Sequence, residues 1–281
     1  MLDRSPLSLF VTYAVLIAGV AIVALPVWVT FVASTQTLDQ VMAVPMSLVP
    51  GDQLLKNYAE VLVAGAGNSG APVTRMMMNS LIMALAIALG KIAISLLSAF
   101  ALIYFRFRFR QAAFWLIFVT LMLPVEVRIM PTYQVMSDLR LLDTYAGLTL
   151  PLIASATATF LFRQFFMTVP DELTEAAKID GAGPMHFFWH VLLPLSRTSI
   201  AALFVIQFVY GWNQYLWPLL VTTHEDMYPV VIGIKRMISG GDAANEWNIV
   251  MATAILAMIP PALVVILMQR WFVKGLVDTE K

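Results

Sequence analysis

The sequence predicts an all-α, polytopic membrane protein, and three observations carry that prediction. Apolar residues fill 60% of the 281 positions and charged residues only 12%, against roughly 45–50% and 25% in an average soluble domain. The mean hydropathy is +0.82. The charged residues also fall in clusters separated by long uncharged windows, most of them near the roughly 20 apolar residues that a helix needs to cross a hydrocarbon core. The 17 basic and 17 acidic residues cancel, so no broad basic field invites nucleic acid, which is not expected as a partner. With no cysteine there is no disulfide frame, thiolate nucleophile or cysteine-ligated metal centre. Membrane lipid is the expected surrounding.

Crossing one is read at 9–33, inside a window free of charge from Arg4 to Asp39. It exceeds the roughly 7–15 apolar residues of a cleaved signal peptide and carries Pro26-Val27-Trp28 where small residues would mark cleavage, so it reads as a retained anchor. Crossing two, 76–104, lies between Arg75 and Arg106 and is interrupted only by Lys91. Crossing three, 111–133, is the anomaly, because its uncharged part stops at Val125. Fifteen residues, 111–125, make only about 22 Å of helix, so Glu126 and Arg128 are expected at membrane depth, facing protein or water rather than lipid. Crossings four (144–166), five (198–221) and six (248–270) complete the count. Lysine and arginine favour cytoplasmic loops. With both ends cytoplasmic, ten of them lie inside and six outside. The Phe105-Arg106-Phe107-Arg108-Phe109-Arg110 run then reads as a topology anchor, with lipid-headgroup contact as its alternative.

The cytoplasmic stretch 170–194 alternates helix signals with breakers. Pro170 opens it, and Asp171 and Glu172 occupy a first turn where negative charge suits the dipole. Leu173, Ala176 and Ala177 share one face, and Gly181 with Gly183-Pro184 ends the helix. A second short helical piece, Met185–Leu193, runs up to Pro194. The whole predicts a compact knob on the membrane face.

Among polar residues in the crossings, Lys91 is a functional candidate by default, with a structural pairing equally open. Gln207, Tyr210, Gln214 and Trp217 recur near one face of crossing five, with Asn213 beside it. Lining a passage and hydrogen bonding between helices are both compatible with that face. Ser155 and Thr159 share a face of crossing four while Thr157 points elsewhere, which reads as small-residue packing rather than a pathway. His186 and His190 have the spacing of two metal ligands, but no third is evident, so interface packing is expected and no metal site. No nucleophile, base and orienter converge, so no catalytic residue is expected. No phosphate-binding loop of the G-x-x-x-x-G-K-[ST] form occurs, and Gly90-Lys91 is followed by isoleucine.

The run Glu175-Ala176-Ala177-Lys178-Ile179-Asp180-Gly181, followed after nine residues by Val191-Leu192-Leu193-Pro194, resembles the E-A-A-x-x-x-G-x9-I-x-L-P loop of bacterial ABC importer permeases, with valine for isoleucine. The likeness extends through Ser98-Ala99-Phe100-Ala101, Gly147-Leu148-Thr149-Leu150-Pro151 and Trp212-Asn213-Gln214-Tyr215-Leu216-Trp217-Pro218-Leu219, which are similar to the maltose-type, carbohydrate-importing group. Within it, Leu123-Pro124-Val125-Glu126-Val127-Arg128, Ser155-Ala156-Thr157-Ala158-Thr159 and the tail from Gly275 to Lys281 most resemble the branch that carries sn-glycerol-3-phosphate.

That resemblance implies a single permease domain, 1–281, in a bacterial cytoplasmic (inner) membrane. It also implies a second homologous permease subunit, two ATP-binding subunits and an extracytoplasmic solute-binding protein. ATP would be bound by the partners and no cofactor by this chain. The small Ala176 and Ala177 would permit close seating on the ATPase, Glu175 and Asp180 would pair with basic groups there, Gly181 would make the corner and Pro194 would close the loop. The substrate pathway would draw on Lys91, Glu126, Arg128, Gln207, Tyr210, Asn213, Gln214 and Trp217. A related polyol phosphate or glycerophosphodiester fits the same expectation. An uncharged sugar is the alternative cargo, and a secondary transporter or channel a remoter one, since such a transporter is expected to show inverted repeats around a midplane site.

Overall fold

The structure, a computed structural model, describes residues 6–63, 71–120, 125–238 and 245–277, and no strand occurs among them. Two compact units divide the chain.

The first unit combines residues 1–75 with 233–259. Helix α1 (Pro6–Ser34) is apolar almost all round, and its side chains are exposed until its last turns, where Val32 to Gln36 become buried. The chain there leaves helical geometry, so its carbonyls need other partners. Asn57 on α3 (Leu54–Val63) supplies them, donating through Nδ2 to Ser34 O and Gln36 O, both at 2.9 Å. Gln36 Nε2 in turn donates to Ser47 O and Val49 O, and Asn248 Nδ2 donates to Asn57 Oδ1. Between them α2 (Leu38–Met42) is opened by a reciprocal capping box of Thr37 and Gln40, which satisfies backbone donors at both positions.

The second unit combines residues 76–232 with 260–281. Its framework is α4 (Val73–Tyr104), α5 (Arg110–Val119), α6 (Val125–Asp138), α7 (Tyr145–Ile153) and α8 (Ala156–Phe166). Then follow α9 (Asp171–Ile179), α10 (Pro184–Leu195), α11 (Arg197–Trp212) and α12 (Leu216–Val221). The helices α13 (Val230–Met237) and α14 (Trp247–Val277) run from one unit into the other along the chain.

Three of the expected crossings differ from the sequence reading. Crossing four is not one helix but α7 and α8, bent by 46°, because Ser155 takes extended geometry and caps α8, its Oγ accepting from Ala158 N–H. Crossing five breaks after Trp212 and resumes at Leu216; Pro218, in the new first turn, lacks the N–H that would bond Gln214 O in a continuous helix. Crossing three comprises α5 and α6, with α6 running on to Asp138, and residues 121–124 lie outside the described residues. Among the described residues, Leu7–Ser34, Val73–Tyr104 and Trp247–Trp271 are each long and apolar enough to cross a membrane, and the bent pairs α7–α8 and α10–α11 raise the count to five if each is one span.

Among the described residues, two buried clusters lie in the second unit. One joins Ile92, Leu96 and Phe100 of α4 to Phe162 and Phe166 of α8, Phe187, Phe188 and Leu192 of α10 and Leu203 of α11. The other joins Met83 and Ile87 of α4 to Ile129 and Met136 of α6, Leu148 of α7 and Trp217 of α12. Where α11 crosses α4, Gly211 lies so close that a Cβ there would stand 2.9 Å from Ala84 Cα, the close approach that small residues allow between membrane helices.

Candidate functional site

The knob expected at 170–194 is present as a helix, a corner and a second helix. Asp171 and Glu172 start α9 and Lys178 lies in its last turn, each charge matched to the dipole end it occupies. The end of α9 is a Schellman turn: Gly181 N–H bonds Lys178 O at 3.1 Å and Ala182 N–H bonds Ala177 O at 2.8 Å. That pairing requires a left-handed residue at the corner, and Gly181 has φ +73°. Nothing lies within 4 Å of a Cβ built at Gly181, so backbone conformation, not space, dictates glycine. Glu175, Ala176, Asp180 and Gly181 are exposed, while Ala177 is half-buried and packs on the aromatic cluster. The small side chains leave a notch of about 420 Å³ between α9 and α10, lined by Leu173, Ala176, Ala177, Asp180 and the two histidines of α10, among others.

Beneath the corner, α10 is wedged into the unit. Phe188 lies 4.9 Å from Phe100 and Phe187 lies 5.3 Å from Tyr104, centroid to centroid. Residues 188–192 take π-helical turns, with Leu193 N–H reaching back to Phe188 O. Helix α10 does not stop before Pro194 but continues through it to Leu195, then turns by 72° into α11. Proline is tolerated there because it falls just after the irregular turn. His186 and His190 stack with centroids 4.0 Å apart, and His190 Nδ1 meets His186 O.

A cavity of about 670 Å³, apolar over most of its lining but holding several polar side chains, opens in the same unit, with walls from α4, α5, α6, α7, α8 and α11. Lys91, only 6% exposed, donates to Gln207 Oε1 at 3.0 Å, and its Nζ stands 3.8 Å from the centre of the Tyr210 ring. Arg128, exposed, lines the same space. Four of the expected pathway residues, Lys91, Arg128, Gln207 and Tyr210, are therefore brought together.

Asn213, Gln214 and Trp217 are not. Asn213 is the exposed residue that ends α11, and Gln214 Nε2 donates to Tyr210 O in its own chain segment. Trp217 is buried, its Nε1–H donating to Gly147 O at 3.1 Å. The break after Trp212 rotates these positions away from the face that an unbroken helix would have made, which corrects the single-face reading. The backbone of Glu126 belongs to α6, but its side chain lies outside the described residues. A second correction concerns crossing four: Ser155, Thr157 and Thr159 all contribute to the cavity wall. The bend before α8 swings its first turn onto the cavity, and Ser155 at the cap was the sequence signal for it.

One functional-looking cluster was missed outright. Asp143, with φ +54°, accepts at Oδ1 from the Thr223 and His224 N–H groups at 2.6 and 2.9 Å and at Oδ2 from the Thr223 hydroxyl at 2.6 Å. It clamps the loop before α7 to the loop after α12, outside the spans. Burial alone would raise the Asp143 carboxyl, but these hydrogen bonds outweigh it and hold the group below the usual carboxylate range. A carboxyl so lowered in the folded state adds stability that is present above its unfolded value near pH ~3.9 and lost as pH falls through the lowered folded value. Asp143→Asn is therefore expected to lower the melting temperature by a few degrees at neutral pH, with the difference closing under acid conditions. Thermal melts at both pH values check this; a difference independent of pH would remove the charge from the explanation.

Residues 91–278 match the family model described as "Binding-protein-dependent transport system inner membrane component". The chain is 60% identical over 282 residues to the sn-glycerol-3-phosphate transport system permease protein UgpE of Agrobacterium fabrum, covering 100% of both chains. It is 57% identical over 281 residues to the protein of that name in Escherichia coli O1:K1 / APEC, again covering 100% of both. Its fold matches a chain in the crystal structure of a bacterial ABC transporter involved in the import of the acidic polysaccharide alginate, with a TM-score of 0.81, 22% identity, and coverage of 97% of this chain and 99% of that one.

Proposed function

Because the chain belongs to the family of binding-protein-dependent transport system inner membrane components, we propose that it is the permease subunit of an ATP-driven importer of sn-glycerol-3-phosphate or a related polyol phosphate or glycerophosphodiester. It is a transport subunit of the cytoplasmic membrane, not an enzyme. Its partners in this reading are a second homologous permease, two ATP-binding subunits and an extracytoplasmic binding protein. In this reading the chain crosses the membrane six times with both ends cytoplasmic, and the 170–194 knob faces the ATPase.

One observation carries the mechanism. Ala177 of α9 packs on the cluster that joins Phe187, Phe188 and Leu192 of α10 to α4, α8 and α11. Those same three helices supply Lys91, the Ser155–Thr159 turn and Gln207 with Tyr210 to the cavity. A packed interior transmits displacement rather than absorbing it. A shift of the knob, driven by closure of the ATPase pair, therefore moves the cavity wall, and no flexible linker intervenes. Glu175 and Asp180 are exposed to pair with basic groups of the ATPase, and the exposed Ala176 allows close seating, while Ala177 faces the aromatic cluster.

The test is reconstitution. Vesicles holding the complete complex are expected to accumulate labelled sn-glycerol-3-phosphate when given internal ATP and external binding protein. Vesicles holding this chain alone are expected neither to accumulate it nor to hydrolyse ATP above a mock preparation. Accumulation of a neutral disaccharide with no glycerol phosphate uptake would overturn the substrate reading.

A further inference from the structure

The cavity gathers positive charge with no described negative charge to answer it. Lys91 is buried, Arg128 shares the wall, and none of the described lining residues is an aspartate or glutamate. A buried ammonium with three donors is poorly served by one amide oxygen and one ring face. Both of those partners are neutral and can be given up: a phosphate oxygen offers the same geometry as Gln207 Oε1 with charge added, and charge-assisted hydrogen bonds are about twice as strong as neutral ones. Arg128 brings a planar fork suited to two phosphate oxygens. Helix α8, 11 residues long, starts in the wall at Ala156 behind its Ser155 cap, so the positive end of its dipole adds to the same field. Ser98, Thr120 and Thr157 bring hydroxyl groups to the remaining wall, the complement of a polyol.

Resting on the import function above, we propose that this cavity holds the phosphate group of the cargo during passage, Lys91 exchanging Gln207 and Tyr210 for phosphate oxygens beside Arg128 and the start of α8. The exchange makes Lys91 a selector. A neutral polyol offers nothing that displaces Lys91 from Gln207, whereas a phosphomonoester does.

The decisive variant is Gln207→Glu, nearly isosteric and able to give Lys91 a permanent acidic partner 3.0 Å away. A lysine that only braces the helices would be better held by glutamate and transport would be unaffected. In the proposal the added carboxylate quenches the cation, and both glycerol phosphate uptake by the reconstituted complex and its apparent affinity fall by about tenfold or more. Binding is read separately from uptake by thermal stabilisation of the purified complex without binding protein, titrated with sn-glycerol-3-phosphate and, in parallel, glycerol. The wild type is expected to be stabilised by the phosphate ester and not by glycerol, and Gln207→Glu to lose that response. Lys91→Met is the second variant and is expected to lose it too. Stabilisation that persists in either variant, or no stabilisation of the wild type, overturns the proposal. Absence of uptake by wild-type vesicles instead overturns the import function itself.

Discussion

Gly181→Val is expected to abolish uptake while the chain remains in the membrane at near-normal amount. Gly181 sits at φ +73°, and a residue with a Cβ pays roughly 1–2 kcal/mol there, more when β-branched. Relief comes by rotating the backbone out of the left-handed region, which breaks the Gly181–Lys178 and Ala182–Ala177 hydrogen bonds that define the corner. The knob then presents Glu175 and Asp180 in a different direction. The rest of the fold is spared because Phe187, Phe188 and Leu192 hold α10 independently of the corner, and because the corner itself is open space. Transport assays, immunoblots of the membrane fraction and co-purification of the ATPase check this together. The expected pattern is lost uptake with weakened co-purification, or ATP hydrolysis no longer stimulated by substrate. Glu175→Lys should act in the same direction by reversing a contact charge. Unchanged uptake in Gly181→Val would reduce the knob to a connector.

Gly211→Val is expected to have the opposite signature, loss of the folded subunit itself. A Cβ at Gly211 meets backbone, Ala84 Cα at 2.9 Å, and two methyl groups beyond it must push α11 away from α4. Overpacking of this kind typically costs 1–3 kcal/mol or more, and here the displaced helix also carries Phe208 and Trp212, both almost fully buried. Membrane abundance and the melting temperature of the solubilised complex should fall together. Gly90→Ala is the internal comparison. The atoms nearest its Cβ all belong to the Ile153 side chain, Cγ2 first at 2.8 Å, and the added group is one methyl facing a side chain rather than three carbons facing backbone. A Gly211→Val protein as stable as Gly90→Ala would show that α4 and α11 do not need this approach.

The knob was legible because its signals are local. Proline and two acids at a helix start and glycine at its corner act within one turn of their own backbone, and a short-range pattern of that kind survives any tertiary arrangement. Lys91 was legible for a related reason, since a charge inside an apolar window demands a partner wherever the helix goes. The partner itself was not, because Gln207 lies 116 positions away and nothing along the chain ties the two. The breaks within crossings four and five are not visible in the hydropathy of the sequence, because hydropathy reports only that a segment is apolar, and an apolar segment can bend. Ser155 bends the first and Pro218 accompanies the break in the second. Once bent, Thr157 turns toward the cavity and Trp217 away from it. Asp143 escaped notice because its role depends on Thr223 and His224, residues of a loop 80 positions further on.

By itself, the sequence determined that this protein is helical, lives in lipid and carries a glycine-cornered knob, since apolar content, charge spacing and capping chemistry act through solvent and local backbone alone. Tertiary structure decided which polar residues share a cavity and which are packing, because that depends on where helices break and how closely two backbones approach. Lys91 facing Gln207 and Tyr210, and Gly211 pressed to Ala84, are products of long-range packing in which each side chain's role is set by a neighbour that the linear order does not name.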